Sequence, residues 1–156
     1  MAPVPKRSAG LLVHRDRDGA TEVLLVHPGG PFWAKRDDGA WSIPKGELAD
    51  GDDDGLATAR REFREELGVD APDADPRPLG EVRQKGGKVV EAWAVAGDVD
   101  TTAIVSNTFE TEWPPRSGRM QTFPEVDRAA WFALDAARVK LNPAQCDFLD
   151  RLTASD

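Results

Sequence analysis

Arg61-Glu62-Phe63-Arg64-Glu65-Glu66-Leu67-Gly68-Val69 is the stretch on which the reading of this chain turns. Together with Leu56 and Ala59, Phe63 and Leu67 recur at three- and four-residue steps, the period of a helix that buries one stripe. Asp52, Asp53 and Asp54 offer N-cap candidates and suit the positive end of the helix dipole. Gly68 stands just past the helix, where backbones often turn left-handed. Glu62, Glu65 and Glu66 occupy i, i+3 and i+4, so their side chains are surface neighbours. Glu62 and Glu66 fall about a quarter-turn from the apolar stripe, and Glu65 lies further round. Like charges at that spacing cost roughly 0.2–0.5 kcal/mol per pair. One reading is a solvated acidic face. The other is a seat for a hard divalent cation such as Mg²⁺ or Mn²⁺, which takes oxygen ligands.

Upstream stands Trp41-Ser42-Ile43-Pro44-Lys45-Gly46-Glu47, a short apolar segment stopped by proline and then glycine. Taken with the helix, it resembles the Nudix box, the signature of the Nudix hydrolase family. That pattern runs from a glycine through a first glutamate to Arg-Glu, an apolar residue, any residue, Glu-Glu, any residue, glycine and an apolar residue. Gly46 starts it here, and Arg61, Glu62, Phe63, Glu65, Glu66, Gly68 and Val69 fill its second half. The first half departs twice: the first acid is Asp52 or Asp53, and the segment from Gly46 to Arg61 is one residue longer than standard. In the family that acid buttresses the loop, so the departure bears on loop geometry more than on metal ligation.

The resemblance implies an α/β/α sandwich with a mixed β-sheet, formed by a single domain over residues 1–156 with residues 1–7 as a loose arm. It implies Mg²⁺-dependent hydrolysis (Mn²⁺ as substitute) of a diphosphate linkage by metal-activated water. The substrate would be a nucleoside diphosphate linked to another moiety, such as an NTP or a dinucleoside polyphosphate. Carried over residue by residue, Arg61, Glu62, Glu65 and Glu66 are the catalytic set. Glu62, Glu65, Glu66 and the Gly46 carbonyl are the metal ligands, with Glu62 and Glu66 foremost. Arg61 orients the acidic helix or loop by ion pairing, or is a plain exposed arginine. Gly46 can equally be read as a turn residue.

Many members of the family add a carboxylate from a loop outside the box. Glu110, Glu112 and Glu125 are the candidates, with Glu112 and Glu125 ranked equal. For the substrate, Lys45 and Arg116 are candidate phosphate contacts, and Trp33 and Trp113 are flat faces beside loops on which a base can stack. Surface cations and half-buried tryptophans are the ordinary alternatives. His14 and His27 read as strand-end residues and not as catalysts. A non-catalytic Nudix domain that binds a nucleotide as a sensor is the alternative function. An isoprenoid diphosphate isomerase lacks its nucleophile, because Cys146 falls in a predicted C-terminal helix.

Composition agrees with a folded globular protein. The net charge of −8 over 156 residues argues against binding a nucleic-acid polymer, which favours a basic surface. A negative protein handling phosphate must cancel charge locally. The single cysteine excludes an internal disulfide and a cysteine zinc site, and it fits a reducing cytosol. No apolar run suits a membrane span or signal peptide, so a cytoplasmic location is expected. Homodimers are common in the family, and the oligomeric state stays open.

Strands are predicted at 8–14 and 22–26 around a polar turn at 15–19, then a loop from Pro28 to Gly39. After the helix and a Pro/Asp-rich connector at 70–78, strands are expected at 79–84 and 89–96, and another at 104–113. Residues 127–134 lead into a final helix best seen at 143–152.

Overall fold

The apolar run after Arg7 becomes the centre of the molecule because both of its faces are covered. In the computed structural model, which describes residues 6–49 and 54–154, strand β1 (Arg7–Arg17) pairs antiparallel with β2 (Ala20–Pro28). Asp18 and Gly19, at φ 53° and 81°, make the two-residue turn between them. Such a turn needs left-handed backbone at both positions, and it suits the twist of a hairpin. The polar Arg15, Asp16 and Arg17, expected as turn, are therefore strand residues paired with Ala20–Glu22.

On its other side β1 runs parallel to β5 (Val89–Ala96), which pairs with β4 (Arg77–Arg83). With β8 (Val126–Ala133) beyond β2, the order is β4-β5-β1-β2-β8, and the short β3 (Lys45–Glu47) joins the start of β1. The sheet is thus mixed. A separate hairpin is formed by β6 (Thr108–Glu112) and β7 (Met120–Pro124).

Alternation along the strands sends side chains to two cores. Ala9, Leu11, Val13, Leu24 and Val26 meet Ala59, Phe63 and Leu67 of helix α1 (Gly55–Leu67). Leu12, Val23 and Leu25 meet Ala137 of α2 (Leu134–Lys140) and Phe148, Leu149 and Leu152 of α3 (Cys146–Thr153). Helices on both faces of a mixed sheet complete the sandwich expected from the sequence. No helix among the described residues is long and apolar enough to cross a membrane.

Helix α1 starts and stops as its sequence dictates. Asp54 is the N-cap and accepts from Ala57 N; Asp52 and Asp53 lie outside the described residues. Gly68 closes the helix at φ 69°, its N–H bonded to Arg64 O. Replacing Asp54 with alanine is expected to lower stability by roughly 0.5–2 kcal/mol in a denaturant titration.

Several expectations need correction. Arg7 belongs to β1, and the Lys6 carbonyl accepts from Val89 N, so the tail of the expected arm is sheet; residues 1–5 lie outside the described residues. The strand expected at 104–113 is confined to Thr108–Glu112. Residues 126–133 form an eight-residue strand before α2 begins, and the strand β7 went unpredicted. Both hairpin strands are short and largely exposed, so they lack the apolar signal by which buried strands are read.

Candidate active site

Helix α1 packs its apolar stripe on β1 and β5, which turns the next face toward β3. Gly46 of β3 and Glu62 meet there. A Cβ built on Gly46 would fall well inside van der Waals distance of Glu62 Cγ, Cδ and Oε2. Glycine is needed at this position because the carboxylate occupies the space a side chain would take. Arg61 is exposed and brings Nη2 to 3.5 Å from Glu62 Oε1.

One turn on, Glu66 is withdrawn from solvent. It lines a cavity of about 130 Å³ together with Pro28, Ser42, Ile43, Lys45 and Glu125. The Lys45 backbone N–H donates to its carboxyl group, yet Glu66 Oε2 is buried without a hydrogen-bond partner among the described residues. Burial pushes the Glu66 carboxyl up to about 8; the Lys45 ammonium and N–H pull it back, while Glu125 and Glu62 push it further. Lys45 moves the opposite way: burial lowers its pKa, helped by Lys88 and opposed by Glu66 and Glu47. Both shifts follow from one cause, since a low-dielectric pocket disfavours either charge. The basic partner of Glu66 thus arrives from β3.

Hard oxygen donors, a buried carboxylate oxygen with nothing to bind and a carboxylate set against a glycine backbone all fit a divalent cation. Glu62, Glu66 and Gly46 are drawn together here, and Glu125 joins them from the turn between β7 and β8. Glu65 does not converge with them: it is exposed and lines neither cavity at this end of the molecule. Among the described residues no three His, Cys, Asp or Glu groups form a ready metal cage.

A second cavity of about 570 Å³ adjoins the first, sharing Pro28 and Glu125 in its lining. Its wall is aromatic, made of Phe32 and Trp33 from the loop after β2 and of Phe109 and Trp113 from the β6–β7 hairpin. Trp33 and Trp113, distant in sequence, therefore face one space. Trp41, by contrast, lies in the core on the α2–α3 side, and Trp93 and Trp131 are half-buried against the core on the α1 side. Arg116 lines neither cavity; its backbone N–H donates to Glu112 Oε1 at 2.6 Å, at φ 61°. Glu112 lines the aromatic cavity, Glu110 neither, and only Glu125 borders both.

Phe109 carries no signal in the sequence that marks it for the site. Gly29 lies so close to the Pro124 carbonyl, and Gly30 to the Phe109 ring, that neither can carry a side chain without displacement. The Gly-Gly pair after β2 was legible as a chain break, whereas its use as a close approach required the partner strand.

The family model described as NUDIX domain matches residues 4–152. No curated protein matches significantly. Among solved structures, the chain is similar to a C. elegans Ap4A hydrolase binary complex, with TM-score 0.62 and 21% identity over 95% of either chain. It is similar to the NUDIX domain of Shewanella oneidensis NrtR complexed with ADP ribose, with TM-score 0.62 and 18% identity over 97% of this chain and 91% of that one. A MutT protein from Methanosarcina mazei Go1 follows at TM-score 0.60 and 19% identity, covering 97% and 95%. At such identities the likeness speaks for the fold, while the family match spans nearly all of the sequence whose acidic helix faces Gly46. This chain belongs to the Nudix family.

Proposed function

We propose that this protein is a Mg²⁺-dependent pyrophosphohydrolase that cleaves a diphosphate linkage in a nucleotide-type substrate. The observation that carries this reading is the buried, unpartnered Glu66 oxygen in a cavity that also holds Lys45 and Glu125 and opens beside an aromatic chamber. Glu62, Glu66 and the Gly46 carbonyl would hold the cation, with Glu65 as an outer carboxylate. Bound Mg²⁺ supplies charge neutralisation at the diphosphate oxygens and acidifies water. The chain's own residues do the rest. Lys45 places a positive charge beside Glu66 for a phosphate oxygen. Arg61 steadies Glu62. Glu125, at the junction of the two cavities, accepts the proton of the attacking water. The base of the substrate lies in the aromatic cavity against Trp33 and Trp113, where apolar faces suit a flat ring.

The test is a phosphate-release screen with Mg²⁺ and Mn²⁺ over NTPs, ADP-ribose, sugar nucleotides, dinucleoside polyphosphates and diphosphoinositols, with Glu66→Gln alongside. Turnover that vanishes in the variant and with EDTA supports the proposal. Metal-dependent nucleotide binding without turnover would instead favour a non-catalytic binding domain, a reading supported by the lengthened segment between Gly46 and Arg61. Trp33→Ala is expected to raise KM for a nucleotide substrate by about tenfold with kcat little changed, as loss of uniform binding requires. An unchanged KM would remove the base from that cavity.

A further inference from the structure

We infer that His27 is a positioning residue that sets the aromatic wall of the larger cavity, and through it the affinity for the substrate's base. The inference rests on the proposed use of that cavity as the base site. His27 is the penultimate residue of β2 and is fully buried, immediately before the Pro28-Gly29-Gly30 segment that lines the chamber. Its Nε2 stands 2.6 Å from the Arg36 carbonyl and its Nδ1 2.8 Å from Asp127 Oδ1 of β8. A carbonyl and an ionised carboxylate can only accept, so the ring donates in both contacts, and the two together fix it in its plane. Trp41 packs edge-on at 5.2 Å and blocks rotation. A buried imidazole with both nitrogens engaged is more than core filling, because an apolar side chain would fill the same volume without desolvating polar atoms.

What the ring grips explains its presence. Arg36 lies in the far limb of the loop whose near limb is the cavity wall. The Arg36 guanidinium sits 4.4 Å from the Phe32 ring centre and 5.6 Å from that of Trp33. Those two rings stand edge to face at 5.1 Å, and both line the chamber. Phe32 is 62% exposed, so little core packing holds it in place. The position of the wall therefore passes from His27 to the Arg36 backbone, from its guanidinium to Phe32 and Trp33, and so to the base. The foot of the loop has separate anchors: Trp41 Nε1 donates to Asp37 at 2.8 Å, and Lys140 pairs with Asp37 and Asp38. Loss of His27 consequently frees the wall without releasing the whole loop.

The test compares His27→Leu, which keeps bulk and removes both hydrogen bonds, with His27→Gln, whose amide can still donate to the Arg36 carbonyl. Michaelis constants are measured on the best nucleotide of the panel, or calorimetric Kd values if it binds without turnover. His27→Leu is expected to raise KM about tenfold with kcat within about twofold of wild type, and His27→Gln to restore most of the affinity. A merely structural role would lower the melting temperature and leave the KM of the folded fraction unchanged. Should His27→Leu fail to fold, Arg36→Ala at the surface carries the test, with an expected rise in KM of about threefold to fivefold. An unchanged KM in these variants while Trp33→Ala raises it overturns the role of His27. An unchanged KM in Trp33→Ala as well overturns the base-site reading, and this inference with it.

Discussion

Glu66→Gln is expected to abolish turnover while making the metal-free protein more stable at alkaline pH. The activity loss should reach at least roughly 10²–10³-fold in kcat, the range for removing one group that stabilises transition-state charge. The stability gain follows from the direction in which burial moves the carboxyl. Burial raises Glu66 from 4.5 to about 8, so the native state holds a proton that the unfolded chain has released. The associated stability is fully present below about pH 4.5, declines as pH rises, and is gone above about pH 8. A tenfold difference in proton affinity is worth about 1.4 kcal/mol, so the full effect is on the order of a few kcal/mol. Glutamine is neutral at every pH and escapes the loss. The metal-free variant should melt on the order of 10 °C above wild type at pH 8, at about 2–4 °C per kcal/mol, and only slightly above it at pH 5. Mg²⁺ should reverse the order by binding the wild-type carboxylate and stabilising it by mass action. Thermal melts at both pH values, with EDTA and with Mg²⁺, decide the matter. A wild-type melting temperature that does not fall between pH 5 and pH 8, equal to that of the variant throughout, would mean that Glu66 is solvated and ionised like any surface acid.

Gly46→Ala should separate the site from the fold just as sharply. The added methyl would collide with the outer atoms of the Glu62 side chain and not with backbone. Such a side chain can swing away, so the expected stability cost is small, below about 1 kcal/mol, at the low end for an added methylene. The displaced carboxylate is one of the proposed metal ligands, so activity should fall roughly 100-fold or more, with the Mg²⁺ concentration for half-activation raised. A metal titration of rate beside a denaturant titration measures the two effects together. Intact activity would show that Glu62 has no fixed place in the chemistry and that Gly46 is only a turn residue. Loss of stability in proportion to activity would make the glycine structural.

How far the sequence reaches is clearest on α1. The stripe through Ala59, Phe63 and Leu67, the left-handed Gly68 and the neighbouring Glu62 and Glu66 all rest on the 3.6-residue period, which needs no partner to be recognised. The exposed position of Glu65 follows from the same geometry. The central strands were legible too, since β1 and β5 are buried on both faces and read as apolar runs. The short, exposed β6 and β7 were not, because strands without a buried face leave no alternation to detect. Residues 127–134 read in the sequence as a lead-in to a helix, although Val126, Ala130 and Phe132 pack as strand against the two cores.

By itself, then, the sequence determined the acidic helix, its C-terminal glycine cap, the glycine that precedes it and the family to which they belong. All of these are patterns of spacing within one element or between adjoining ones. Tertiary structure decided the rest. Glu112 and Glu125 were indistinguishable as loop acids until strand pairing set Glu125 between both cavities and left Glu112 bonded to the backbone of Arg116. Lys45 became a partner of Glu66 only once β3 was laid along the start of β1. Trp33 and Trp113 came to share a wall only because the Gly29-Gly30 turn lets the hairpin approach. These placements depend on sheet register and on which backbones can come close. Neither is written in the local period of a single segment.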